Sequence, residues 1–396
     1  MFSSAVAHSV RRWHRPLTLE AGLMGALAVF CLAAMLVDDR QLLGESVWLK
    51  PFKFAIAFLL YSATLAWLVS LPHKGSRITW WLGTVFAVTG VIDVGFIVLQ
   101  AARGTFSHFN TDHADKVNDI GQWLFASGVP GLFLANLVIA VIVSWQRVAD
   151  RPTSRAIHAG LGIAVFGMAL GYLMGGTGAQ LVHDAAGRPI TLAAGHTVLP
   201  GHAVERDGLA GMPITHWSTV GGDLRVPHFA GLHGIQILLL AAIALAWSAR
   251  RHPWLTERVR ARLIGVFALA YFVLVVLLLR QALHAQPLIH PDTRTALAFV
   301  AWAAATLGAT TVVVMTARPS TASRPRDKRN GHAEDKRSGH AEDERKGHAE
   351  REGTGLTGRV GNPTERETDL TGGESTSVVG RDNSLAAGRR SSLPTG

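Results

Sequence analysis

Apolar runs of membrane length alternate with polar connections from residue 20 to residue 316. The pattern predicts eight transmembrane helices, at 20–37, 52–71, 78–101, 119–145, 156–176, 228–248, 263–283 and 295–316. Each run is long enough, as a helix, to cross a hydrocarbon core of ~30 Å. The fourth contains Gly128 and Pro130, where a kink or a broken helix is expected. The sixth follows directly from a glycine-rich polar loop, so His233 and Gln236 fall inside its first turns. The predicted fold class is an all-α integral membrane protein.

Charge orients the array. Arg11, Arg12 and Arg15, then Lys74 and Arg77, then Arg147, Arg151 and Arg155, then Arg250, Arg251, Arg258, Arg260 and Arg262 all fall on alternate connections. The positive-inside bias places these in the cytoplasm together with both termini, in the plasma (inner) membrane of a bacterium. The formal charge of +10 is therefore a topology signal, and no nucleic-acid partner is expected. The opposite connections, 38–51, 102–118, 177–227 and 284–294, or their adjoining helix ends, hold ten of the 18 histidines, among them His108, His183, His196, His202, His228 and His284. A loop as long as 177–227 is usually a lid, a binding loop or disordered, and Pro189–Leu192 within it reads as a short strand.

Composition then divides the chain into a transmembrane domain, 1–316, and a tail, 317–396. The tail carries the octapeptide-spaced repeats GHAED at 331–335 and 339–343 and GHAER at 347–351, with 15 Lys+Arg and 13 Asp+Glu. With so few large apolar residues it is expected to be disordered and cytoplasmic. The single cysteine, Cys31, excludes an intramolecular disulfide framework, and Phe30 before it argues against a lipoprotein signal. The first run reads as a retained helix.

Polar residues inside the spans nominate a site. At about 100° per residue, Lys50, Lys53, Tyr61 and Thr64 share one stripe, and the two lysines run against the charge bias. Asp93 and Gln100 share a face of the third span, with Arg103 a turn further on. An intramembrane aspartate is expected to be paired or to face water. Asn118, Asp119 and Gln122 open the fourth span, and Arg280 and Gln281 close the seventh. Together with His233 and Gln236 these predict a shared extracytoplasmic polar cavity. Within it Asp93, His108 and His233 are the candidate catalytic groups. Lys50, Lys53, Gln100, Arg103, Gln122, Gln236 and Arg280 are the candidate substrate-binding groups.

The histidines leave the cofactor open. His108, His228 and His233, with Asp93 or Asp223, would suit zinc or another transition metal. His228 and His233, five apart, do not share a helix face, so the i, i+4 metal pair is absent. A b-type haem held by His233 and His284 is a rival.

The segments KPFKFAIAFLLYSATLAW, RGTFSHFN and WSTVGGDLRVPHFAGLHGIQ resemble those of a set of bacterial polytopic membrane proteins, over most of residues 45–285. The resemblance implies an integral membrane fold and carries no reaction with it. The leading expectation is a metal-assisted membrane-embedded enzyme acting on a lipid or small anionic substrate. A metal-free transporter or receptor for such a ligand, and a b-haem redox protein, are the alternatives.

Overall fold

The computed structural model describes residues 13–201 and 205–317. Arg11, Arg12, His202 and the tail from position 318 onward, with its expected disorder, lie outside the described residues.

Helix α1 (Arg15–Val37) begins where the Leu17 amide donates to His14 Nδ1, with Pro16 in the first turn. A small hairpin, β1 (Gln41–Leu42) and β2 (Glu45–Ser46), then delivers the chain to α2 (Leu49–Ser70). Next come α3 (Ser76–Ala102) and α4 (Lys116–Ser144), the latter capped by Asp115, whose carboxylate accepts from the Val117 and Asn118 amides. Asp150 caps α5 (Arg151–Leu170), which tightens into a 3-10 turn over Gly171–Gly176. The long loop folds rather than wanders. Strands β3 (Gln180–His183) and β4 (Pro189–Leu192) form an antiparallel hairpin, and β5 (Thr197–Val198) pairs with β6 (Gly222–Asp223). Val182, Ile190 and Leu192 of the hairpin bury against Phe106, with Leu42 and Leu43 packed alongside, so the outer connections share a small core of their own. Helices α6 (Arg225–Leu232) and α7 (Gly234–Ala249) follow, then α8 (Glu257–Leu283) and α9 (Thr293–Ala317).

Among the described residues, seven helices are long and apolar enough to cross a membrane, and α6 with α7, bent by 47° between them, passes the same test as a pair. The protein is an all-α, multi-span membrane protein. Helix α4 runs through Gly128 and Pro130 without interruption, and the break falls at His233, with φ −87° and ψ 9°.

Glycines border the break. A Cβ on Gly167 of α5 would collide with the backbone of Gly231 and Leu232, and a Cβ on Gly160 with that of Ile235. The α5 and α6 backbones thus touch directly, as small residues allow in membranes. The two contacts flank the break, one on each side of His233. The backbone ladder survives the bend, because His233 N donates to Phe229 O (3.1 Å) and Ile237 N to His233 O (3.2 Å).

Two apolar clusters meet on α5. Leu17, Leu65, Phe86, Ile139, Ile157 and Ile235 join α1 to α5 and α7, while Ile163, Leu238, Ile264 and Val275 join α5, α7 and α8. Helix α9 buries almost nothing, and its Trp302 Nε1 donates to Ala270 O of α8 (2.8 Å). Its bare flanks suit lipid.

Candidate functional site

Two adjoining cavities lie where α2, α4 and α6 meet the folded outer connections. The smaller, about 100 Å³, is edged by charge: Glu45, Lys50, Lys53, His196, Asp207 and Arg225. The larger, about 460 Å³, runs down among α2, α4 and α5 and is walled by Phe54, Phe58, Phe86, Phe125, Leu132 and Phe133. That size falls within the ~300–1,000 Å³ common for small-molecule sites. Seven residues line both: Lys50, Phe54, His108, Phe109, His196, Arg225 and Phe229. The two spaces are therefore lobes of one site, with a polar upper part and an aromatic lower part.

Trp48-Leu49-Lys50-Pro51 puts both lysines in the first turns of α2, where proline needs no hydrogen-bond partner. Lys53 Nζ donates to Glu45 Oε2 (2.8 Å) and Thr215 O (3.3 Å). Lys50 makes no hydrogen bond or ion pair with any described residue. Arg225 opens α6, and Asp223 two positions earlier accepts both its amide (2.9 Å) and its guanidinium (2.7 Å to Nη2). Its Nη2 also donates to His216 O, while Nη1 bonds to no described residue. Lys53 and Arg225 are thus paired with Glu45 and Asp223, and the Lys50 amine is left without a partner among the described residues. Two unclaimed basic donors, Lys50 Nζ and Arg225 Nη1, belong to residues that line both lobes.

His196 precedes β5, and its Nδ1 lies 3.0 Å from Asp207 Oδ2, while its Nε2 bonds to no described residue. Asp207 also accepts the Thr197 amide (2.9 Å) and the Gln180 side-chain amide (2.9 Å). Burial alone would raise the Asp207 carboxyl, but the charge and hydrogen bond of His196, the Gln180 amide and the charge of Arg225 together hold it far below the usual carboxylate range. His108, packed on Phe125 at 4.3 Å between ring centres, is pushed well below the ordinary imidazole value by burial, then by the charges of Lys50 and His196. It is neutral at physiological pH. Phe109 stands at φ +60°, a strained conformation for a bulky residue, held by Ala193 N donating to its carbonyl (2.8 Å). Such strain clusters at working sites.

Of the residues nominated from sequence, Lys50, Lys53, His108, Gln122 and His228 line the cavities. Gln100 and Arg103 brace the wall instead. Gln100 Nε2 donates to Phe106 O (3.3 Å) and Asn118 Oδ1 (3.1 Å), and Arg103 donates to Gln100 and pairs with Asp115 (2.6 Å). Gln122 adds a bond to Ser107 O (2.9 Å), so this network holds the turn that carries His108. Gln236 turns to Leu60 O and Thr64 on α2, and the exposed Arg280 lines neither cavity. Asp93 is buried in a notch of α4, where a Cβ on Gly128 would strike its carboxylate, and it too lines neither cavity.

The expected metal set does not assemble. Among the described residues no group of three or more His, Cys, Asp or Glu side chains is placed to hold a metal ion. His228 Nδ1 bonds to Gly167 O (2.8 Å), and His233 sits at the helix break outside both cavities, apart from His108. The haem pair fares no better, because neither His233 nor the exposed His284 lines a cavity. His196, Asp207 and Arg225 were not nominated. Arg225 carries the same signal as Lys50, a basic residue on the side that the charge bias predicts to be free of them. Asp207 carries none, since its pairing with His196 reaches across an irregular loop.

No protein-family model matches the chain, and no curated protein and no solved structure matches it either.

Proposed function

We propose that this protein, a multi-pass protein of the bacterial inner membrane, binds an anionic amphiphile at its extracytoplasmic face. The headgroup sits against Lys50 and Arg225, and the chain fills the aromatic lobe. The observation that carries this reading is the shared rim: unclaimed basic donors stand at the boundary between a polar and an apolar space. A small anion would not need the lower lobe, and a neutral lipid would leave Lys50 without a partner. Ala126, Tyr172 and Gly175 line the larger cavity and are themselves exposed, which supports loading sideways from the bilayer between α4 and the 3-10 turn. The zinc and haem alternatives lose their support because no metal-ligating group of three assembles among the described residues and neither His233 nor His284 lines a cavity. A metal-free receptor or carrier for the same ligand remains compatible with the site.

Binding of radiolabelled dodecylglycerol phosphate to the purified protein tests this, because its ether linkage is not hydrolysable. It is expected to bind at least about tenfold more tightly, ~1.4 kcal/mol, than dodecylphosphocholine or chainless glycerol phosphate. Equal affinity for the zwitterionic compound would overturn the headgroup assignment, and equal affinity for glycerol phosphate would overturn the chain assignment.

A further inference from the structure

An amphiphile spanning the two lobes must place its chain-to-headgroup linkage at their junction. His196 stands there. Its Nδ1 is held by Asp207 at 3.0 Å, its Nε2 is free, and it lines both lobes. The geometry points to a metal-independent hydrolase, in which His196 is the general base, and Asp207 its positioning residue, for water attack on the ester joining an acyl chain to an anionic headgroup. This rests on the amphiphile-binding reading given above.

The remaining parts are present. Asp207 holds the imidazole in one orientation, and in the neutral ring that can act as a base the proton stays on Nδ1 toward Asp207, leaving the Nε2 lone pair for the cavity. Water gives a proton to Nε2 as its oxygen bonds to the ester carbonyl carbon. The Arg225 and Lys50 groups that hold the adjoining headgroup also line the junction, so their charge lies on the side of the resulting oxyanion. The carbon–oxygen bond to the headgroup then breaks, and the proton on Nε2 passes to the departing alkoxide. The products are a fatty acid, which ionises, and the headgroup alcohol. His108, enclosed by Phe54 and Phe125, has its Nδ1 beside the Ser107 hydroxyl at 3.0 Å rather than a carboxylate, so an imidazolium there lacks the counter-charge that Asp207 gives His196.

Asp207 also anchors β5 through the His196 and Thr197 amides, so truncating it risks the loop. His196→Asn is the safer probe, because its amide keeps a donor toward Asp207 and removes the base. Full-length protein would be incubated with lauroylglycerol phosphate and laurate release followed by mass spectrometry. The wild type is expected to release laurate, and His196→Asn to do so at least about 100-fold more slowly, the scale of general-base catalysis. Binding of the ether-linked dodecylglycerol phosphate should stay within about threefold, since that contact is not the base's. Asp207→Asn should lower kcat with little change in KM and displace the pH profile, which a merely structural anchor would not do. Binding without laurate release, or release unchanged in His196→Asn, overturns the hydrolase and leaves the binding site standing. Loss of ether-probe binding by the wild type overturns both.

Discussion

Lys50→Met is the perturbation that separates a ligand-binding charge from a structural one. The chain's contact with the aromatic lobe is common to the wild type and the variant and cancels between them, so the difference in affinity reports the headgroup contact. A hydrogen bond to a charged group contributes about 1.5–3 kcal/mol. At ~1.4 kcal/mol per decade, losing the Lys50 contact should weaken dodecylglycerol phosphate binding by about 10- to 150-fold. Lys50 has no hydrogen-bonded partner in the unliganded protein, so the same change should not cost stability. Leaving a polar group unsatisfied costs roughly 1–3 kcal/mol, and replacing it with a methionine of similar length removes that cost. The variant should therefore melt at or above the wild-type temperature while binding poorly. Fluorescence-monitored thermal melting and equilibrium binding on one detergent preparation read both quantities. A lower melting temperature with unchanged affinity would refute the reasoning and make Lys50 a packing residue.

Three further outcomes follow from the geometry. Gly167→Leu drives a side chain into the Gly231 and Leu232 backbone. Overpacking costs about 1–3 kcal/mol where neighbours can yield, and here backbone must yield, so a melting temperature within a degree of wild type would contradict the close helix contact. Because Asp207 is held below its ordinary value of 3.8, its contribution to stability is complete above that pH and is lost as pH falls toward its lower folded value. The melting-temperature gap between the wild type and Asp207→Asn should thus be full from pH 7 to 5 and narrow below about 4, and widening on acidification would show the sign to be wrong. A cysteine at the exposed His113, with the buried Cys31 as internal control, should react with an impermeant maleimide on intact spheroplasts. Labelling only after lysis would invert the orientation.

The spans were readable because lipid imposes one strong rule, a continuous apolar length. The predicted starts fell late, at 20 rather than Arg15 and at 263 rather than Glu257, because polar first turns carry capping chemistry rather than hydropathy. Proline is a visible kink signal, whereas the break at His233 falls between Gly231 and Gly234, whose seating on α5 depends on a partner helix absent from local sequence. At the site, Lys50 and Lys53 stood out as cations on the wrong side of the charge bias. Asp93 lies outside the cavities for a physical reason: an intramembrane carboxylate can be sheltered in a glycine notch as readily as in a ligand cavity. His196 and Asp207 meet through loop folding that has no period to detect.

Every described side chain that lines the cavities lies between Leu42 and Leu232. The chain therefore finishes specifying its binding site before α8 and α9 are synthesised. Helix α8 then closes on the finished site from behind, where Tyr271 Oη donates to Ala230 O (2.8 Å) across from His228 and Phe229. Helix α9 docks on α8 and contributes no lining residue. Order of emergence from the ribosome thus matches order of importance: recognition is encoded first, bracing second, and contact with the surrounding lipid last.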